Sequence, residues 1–164
     1  MEQDPEELRY TTALHEAGHA AMQWWRALPA TALHLFEPGA GLCEGTGQAE
    51  RAEDQLLVLM AGYVVEAGYG LAGTPIWESC RVNDYDEARA MLRAGGAPWL
   101  FIGADGRQLT EDEVLTRLWE RACDEMLRLE DLVERLAEPL ERDGYLSADR
   151  VAAICREFGE ELGK

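Results

Sequence analysis

The chain has few basic residues and no long hydrophobic run. Its 15 Lys and Arg stand against 32 Asp and Glu, so the net charge over 164 residues is −17. Such a field repels phosphate backbones and anionic lipids, which argues against binding to nucleic acid or to a membrane surface. The longest apolar run, residues 56–65, is too short to cross a bilayer. The acidic residues 1–7 also lack the basic and apolar regions of a signal peptide. We therefore expect a cytoplasmic protein with no nucleic-acid or membrane partner.

Paired cysteines and a nucleotide loop are absent as well. Cys43, Cys80, Cys123 and Cys155 are far apart, and no C-x-x-C pair occurs. This spacing argues against a disulfide framework or a cysteine zinc site and favours reduced, mostly buried thiols. No G-x-x-x-x-G-K-[ST] occurs, so the chain carries no P-loop ATPase of its own.

The residues that are present predict one globular domain over residues 1–164, because hydrophobic content is 47% and the length suits a single core. Apolar periodicity predicts a mainly α (α+β) fold with a small β-hairpin. We expect helices over residues 5–28 and 48–67, from 83 to about 94, from 111 onward and after 147, with the hairpin formed by residues 31–36 and 39–47.

Local signals set several helix ends. Asp4 is typical of an N-cap, and the helix that follows should run to about Leu28. Thr110 and Glu113 form a capping box that opens a long helix. We expect Pro139 to kink or end that helix, because proline lacks the backbone N–H that the helix interior needs.

A chemical signature occurs at His15-Glu16-Ala17-Gly18-His19. Helical residues four positions apart lie ~40° apart around the axis and ~6 Å along it, so both imidazoles can face one metal ion. Glu16 falls beside them, where a carboxylate can take a proton from a water on that metal, as in H-E-x-x-H zinc peptidases. Gly18 has no side chain and would let another segment pack against the site. The alternative is two surface histidines on a charged helix.

Catalytic zinc usually takes three protein ligands and a water. The longer pattern H-E-x-x-H-x-x-G-x-x-H fails, because Met22 stands at its glycine and Trp25 at its third histidine. Spacing alone leaves the third ligand open among His34, Glu66, Cys80, Asp84 and Asp86.

Glu66 is the one charge in the apolar second half of the second predicted helix. A buried carboxylate needs a partner. Glu66 could bind the metal, orient a histidine that binds it, or simply emerge into solvent at the helix end.

The strand of the hairpin that contains Leu33 and Leu35 is the candidate for substrate binding. In zinc peptidases, a strand edge beside the active-site helix commonly holds the substrate in extended form through main-chain pairing. A hairpin with only a structural role is the alternative.

Three stretches carry longer patterns. Residues 15–20 spell H-E-A-G-H-A, residues 62–66 spell G-Y-V-V-E, and residues 83–88 spell N-D-Y-D-E-A. The first matches the zinc-binding helix of the FtsH family of ATP-dependent membrane proteases letter for letter. The second loosely matches its G-R-A-A-E-like motif, and the third matches its S-N-D-φ-x-x-A motif from the Asn onward. Residues 136–140 are similar to a C-terminal L-A-x-x-L pattern. Over most of its length the chain therefore resembles the zinc-peptidase domain of that family.

The resemblance implies a zincin-like helical domain in which His15, His19 and Asp84 bind Zn²⁺. It implies that Glu16 is the general base and that Glu66 supports a ligand without touching the metal.

The chain also departs from the family. Its ATPase module and membrane helices are not in this sequence, Tyr63 replaces the arginine of G-R-A-A-E, and the hairpin region is short. Residues 78–83 replace the family's G-A-S-N stretch. These departures affect the processing of folded substrates and the binding of substrate, and they leave the metal and base residues intact.

Together these patterns favour a zinc-dependent metallopeptidase that hydrolyses peptides or unfolded segments, with a separate ATPase or a homo-oligomer as a partner. A non-proteolytic metal-binding adaptor that keeps the fold is the second hypothesis. A purely structural helical protein is the third.

Overall fold

The computed structural model describes residues 4–36, 39–45, 52–68 and 83–163. These residues are mainly helical and include a small three-stranded antiparallel sheet, which confirms the mainly α prediction. None of these helices is long and apolar enough to cross a membrane. The helices are α1 (Pro5–Trp25), α2 (Ala52–Glu66), α3 (Asn83–Arg93), α4 (Glu111–Met126), α5 (Glu130–Asp143) and α6 (Ala148–Glu161); the strands are β1 (Leu33–Leu35), β2 (Gly41–Cys43) and β3 (Tyr145–Leu146); short 3-10 turns cover Pro98–Phe101 and Leu127–Leu129.

Helix α2 forms the centre of the helical core. It packs against α1 on one side and α4 on another, and residues 54–65 are all buried, as the apolar sequence predicted.

The close approach of α1 to α2 depends on Gly18. A Cβ at that position would lie 2.8 Å from Val65 Cγ2 and 2.9 Å from the Ala61 carbonyl oxygen, closer than ordinary packing allows. The expectation that Gly18 lets another segment pack there is confirmed.

The ends of α1 follow from its local sequence. The Asp4 side chain accepts a hydrogen bond from the Glu6 backbone N–H at 3.0 Å, which caps the helix. The helix ends at Trp25, three residues before the predicted Leu28. The chain leaves the helix because Ala27 adopts a left-handed conformation with φ of 58°.

Helices α4 and α5 correct the prediction of one long helix that Pro139 breaks. The capping box of Thr110 and Glu113 is present, but the break falls at the 3-10 turn between α4 and α5, and Pro139 lies inside α5. A 3-10 turn advances about 120° per residue where an α-helix advances about 100°. The turn therefore rotates one apolar stripe relative to the next, so that Leu129 is fully buried while Leu127 is 55% exposed.

The sheet has the strand order β2-β1-β3, with both neighbours antiparallel to β1. The β1–β2 hairpin was predicted; β3 was not, because it reaches β1 from more than 100 residues away in the chain. Leu33 and Leu35 are buried against the core. His34 points to the other face, where its ring stacks on Phe36.

Several predictions fall on residues outside the described ranges. They are the start of the second helix and the loop over residues 71–81, which includes Cys80. The other three cysteines, Cys43, Cys123 and Cys155, are buried, as expected.

Candidate metal centre

Three side chains from two helices converge on one point. His15 and His19 lie on successive turns of α1, and Asp84 lies in the first turn of α3. Asp84 Oδ2 is 2.9 Å from His15 Nε2 and 3.1 Å from His19 Nε2, and the two Nε2 atoms are 3.0 Å apart. Three atoms about 3 Å apart leave a point about 2 Å from each, which is the length of zinc–nitrogen and zinc–oxygen bonds.

Helix α2 forms the wall behind the two imidazoles, and Gly62 makes this contact. A Cβ at Gly62 would lie 2.7 Å from both Cε1 and Nε2 of His15, and 2.8 Å from Cε1 of His19. Any larger side chain would displace the rings. Sequence reasoning noted Gly62 only as a letter in a loosely matched motif and missed this role. A glycine in an otherwise apolar helix was the one signal that could have suggested it.

The second nitrogen of each imidazole has an acceptor as its neighbour. His19 Nδ1 is 2.7 Å from the Val58 carbonyl oxygen, and His15 Nδ1 is 2.8 Å from Glu66 Oε1. A carbonyl oxygen can only accept, so Nδ1 carries the proton in His19. The same tautomer of His15 places its Nδ1 proton beside the Glu66 carboxylate. In a neutral imidazole this leaves the lone pair on Nε2, so both lone pairs point toward Asp84.

Three acceptor atoms at this separation repel one another unless positive charge lies between them. In the absence of metal that charge is a proton. Burial alone would lower the pKa of His15, but Asp84 and Glu66 outweigh it and raise the pKa to about 10. Burial would raise the pKa of Asp84, yet the two histidines hold it well below its usual range. A divalent cation meets the same need, and two imidazole nitrogens with one carboxylate oxygen fit Zn²⁺.

Glu16 lies beside this donor group and is not part of it. Its carboxylate is buried against β2, where Cys43 provides a backbone hydrogen bond. A Cβ at Gly41 would lie 2.7 Å from Glu16 Cγ and 2.9 Å from its Oε1. Strand β2 can therefore lie this close to Glu16 only because position 41 is a glycine. Burial raises the pKa of Glu16, and the charge of Asp84 adds to this, while the two histidines oppose it. The group is thereby adapted to hold a proton more readily than an exposed glutamate.

A cleft of about 480 Å³ opens over the donor group. Helix α1 forms its floor, β2 one side, and the end of α2 and the start of α3 the other. Its lining consists of Thr12, His15, Glu16, His19, Gly39, Ala40, Gly41, Leu42, Cys43, Glu66, Asp84 and Glu87.

The structure corrects the prediction that Leu33 and Leu35 bind substrate. Both side chains point into the core, and β1 is hydrogen-bonded to β2 on one edge and to β3 on the other. No edge of β1 is left for a peptide. The strand that borders the cleft is β2, an outer strand of the described sheet.

The other candidates for the third ligand that the structure describes, His34, Glu66 and Asp86, do not join the donor group. His34 lies on the outer face of the sheet with its Nε2 2.7 Å from Glu44 Oε1. Asp86 is exposed, and Cys80 lies outside the described residues. Glu66 contacts His15 from behind, which agrees with the supporting position that the resemblance implies.

No protein-family model matches this chain, and no curated protein matches it.

Proposed function

We propose that this protein is a zinc-dependent metallopeptidase that hydrolyses peptide bonds in peptides or unfolded segments, with the fold of an FtsH-type peptidase domain. One observation carries the proposal. Asp84 comes from a helix 65 residues beyond His19, and its carboxylate lies 3.1 Å from the His19 imidazole, beside a buried glutamate in an open cleft. This convergence argues against the alternative that His15 and His19 are only surface histidines on a charged helix.

The roles follow from position. His15, His19 and Asp84 would hold Zn²⁺, which when bound lowers the pKa of a coordinated water and polarises a carbonyl group. Glu16 would accept a proton from the attacking water at its carboxylate and pass it to the leaving amine. The raised pKa of Glu16 suits both steps. A carboxylate whose pKa lies closer to the working pH takes up a proton more readily and can still release it to the amine. Glu66 would keep the His15 ring oriented through Nδ1.

Substrate binding is assigned to β2. An extended peptide would pair with the outer edge of this strand and lie across the cleft, beside Glu16. Folded substrates would need delivery by an ATPase or a homo-oligomer, since no P-loop occurs within residues 1–164.

The test is the Glu16→Gln variant. Both this variant and wild type should bind one zinc per chain, because Glu16 is outside the donor group. The variant's cleavage of an unstructured protein should fall at least about 100-fold, since the base is lost while the metal stays. Zinc is measured by elemental analysis and cleavage by release of fluorescent peptides, with and without a chelator.

Cleavage by Glu16→Gln at the wild-type rate would remove Glu16 as the base. Stoichiometric zinc in a wild-type protein that cleaves nothing would favour the adaptor. Absence of stoichiometric zinc in wild type would favour a structural role.

A further inference from the structure

Among the described residues, four carboxylates line the cleft, and three of them are engaged. Asp84 contacts both histidines, Glu66 contacts His15 Nδ1, and Glu16 receives the Cys43 backbone hydrogen bond. Glu87 is different. It lies one turn after Asp84 on α3, lines the same cleft, and forms no ion pair with any described residue.

The basic residues of α3 do not face the cleft. Arg89 and Arg93 pair with Glu111 and Asp112 of α4, on the other side of the helix. No lysine or arginine is among the described residues that line the cleft. Helix α3 therefore presents Asp84 and Glu87 to the cleft, while its arginines pair with α4.

Glu87 lies near another negative charge and has no ion-pair partner among the described residues. Partial burial raises the pKa of Glu87 and the charge of Asp84 raises it further, while His19 opposes the shift. A metal ion would offset Asp84 directly but is not contacted by Glu87, which is outside the donor group. A cationic ligand group beside Glu87 would relieve this repulsion, and an anionic one would increase it.

We propose that Glu87 is a specificity-determining residue that binds a cationic group of the substrate next to the cleaved bond. This inference rests on the proposed peptidase function. Two substrate features have the required chemistry: a lysine or arginine side chain within the peptide, and a free α-amino terminus. The first would make the enzyme an endopeptidase selective for basic sites, and the second an aminopeptidase.

The experiment measures binding separately from cleavage. Zinc-loaded Glu16→Gln protein, which holds the peptide without turning it over, is titrated into fluorescent eight-residue peptides. Arginine is placed at each position in turn of an otherwise neutral peptide, and every peptide is made with a free and with an acetylated N-terminus. Glu87→Gln is added to the same background. Asp86→Asn is the matched control, because it removes one charge from the neighbouring, exposed position of α3.

Glu87→Gln should weaken binding of the cationic peptides about 3- to 10-fold and leave the neutral, acetylated peptide unchanged, as expected for a partly exposed ion pair. Asp86→Asn should change all peptides by less than about twofold. If Glu87→Gln weakens only the binding of peptides that contain arginine, Glu87 binds the basic side chain. If it weakens only the binding of peptides with a free N-terminus, Glu87 binds the α-amino group. Equal losses in the two variants, no loss in Glu87→Gln, or no measurable binding of cationic peptides would overturn the proposal.

The two proposals fail differently. Selective binding through Glu87 in a protein whose zinc-loaded wild type cleaves none of the peptides would remove the peptidase function and leave the cation site. Cleavage by wild type with no preference for cationic peptides, together with unselective binding, would leave the peptidase and remove the role of Glu87.

Discussion

The two sides of the metal centre are built differently. On the α1–α2 side, His15 and His19 are buried, and Gly18 and Gly62 bring the helix backbones close. His19 Nδ1 contacts the Val58 carbonyl oxygen, and His15 Nδ1 lies 2.8 Å from Glu66. On the α3 side, Asp84 stands at the start of a short helix whose outer surface is held by exposed ion pairs. The difference suggests that the histidines are preorganised by the core, whereas the aspartate is delivered by a more weakly held element.

The sharpest way to break this comparison is to remove one donor from each side. His19→Ala and Asp84→Ala should each weaken zinc binding at least about 1,000-fold, because catalytic zinc sites need all three protein ligands. Without metal the two should differ. His19→Ala should lower the free energy of unfolding by about 2–4 kcal/mol, since it leaves a cavity and an unpaired Val58 carbonyl.

Asp84→Ala should cost less, about 1–2 kcal/mol, because the Asp84 side chain is only partly buried and His15 can release its proton once this partner is gone. Competition with a zinc indicator gives the affinities, and urea denaturation in chelator gives the stabilities. Equal destabilisation by both variants would show that α3 is as firmly packed as α1.

A smaller loss of stability is expected from a substitution at Gly62, the glycine that packs against the two imidazoles. Gly62→Ala should lower the free energy of unfolding by about 1–3 kcal/mol, because the added methyl group overlaps both rings, and it should weaken zinc binding as the rings move. Gly96→Ala is the control, since its added Cβ would meet its nearest atoms at 3.6 Å, an ordinary contact. Its stability should stay within about 0.5 kcal/mol of wild type. Equal stability of the two variants in urea denaturation would contradict the tight α1–α2 contact.

The smallest effect is expected where α3 meets α4. Arg93 is 64% exposed where it pairs with Glu111, and exposed pairs contribute little. Arg93→Ala should therefore lower the free energy of unfolding by less than about 1 kcal/mol and leave zinc affinity within about twofold. A tenfold loss of zinc affinity in a calorimetric titration would mean that this ion pair positions Asp84.

The features that could be predicted from sequence are those fixed by near neighbours in the chain. The spacing of His15 and His19, the cap at Asp4 and the capping box at Thr110 each depend on residues within one or two helical turns. The role of Gly18 followed because it lies between the two histidines.

The features that could not be predicted depend on distant partners. Pairing with β3 makes β1 a central strand and removes Leu33 and Leu35 from the substrate-binding edge. Gly62 contacts imidazoles that lie more than 40 residues earlier. The break between α4 and α5 falls at a 3-10 turn whose Leu129 is buried in the common core, and Pro139 lies inside α5. Asp84 was singled out only through the resemblance, since its spacing did not distinguish it from other acidic residues.

The contact between Glu16 and β2 limits how this cleft can change. Gly41 cannot gain a side chain without displacing Glu16, and Cys43 holds the same carboxylate through its backbone. Leu42, between them, points away from Glu16 and is 43% exposed at the mouth of the cleft. Along β2 it is therefore the position where sequence can vary without moving the base. An altered selectivity, in evolution or by design, would be sought first at Leu42.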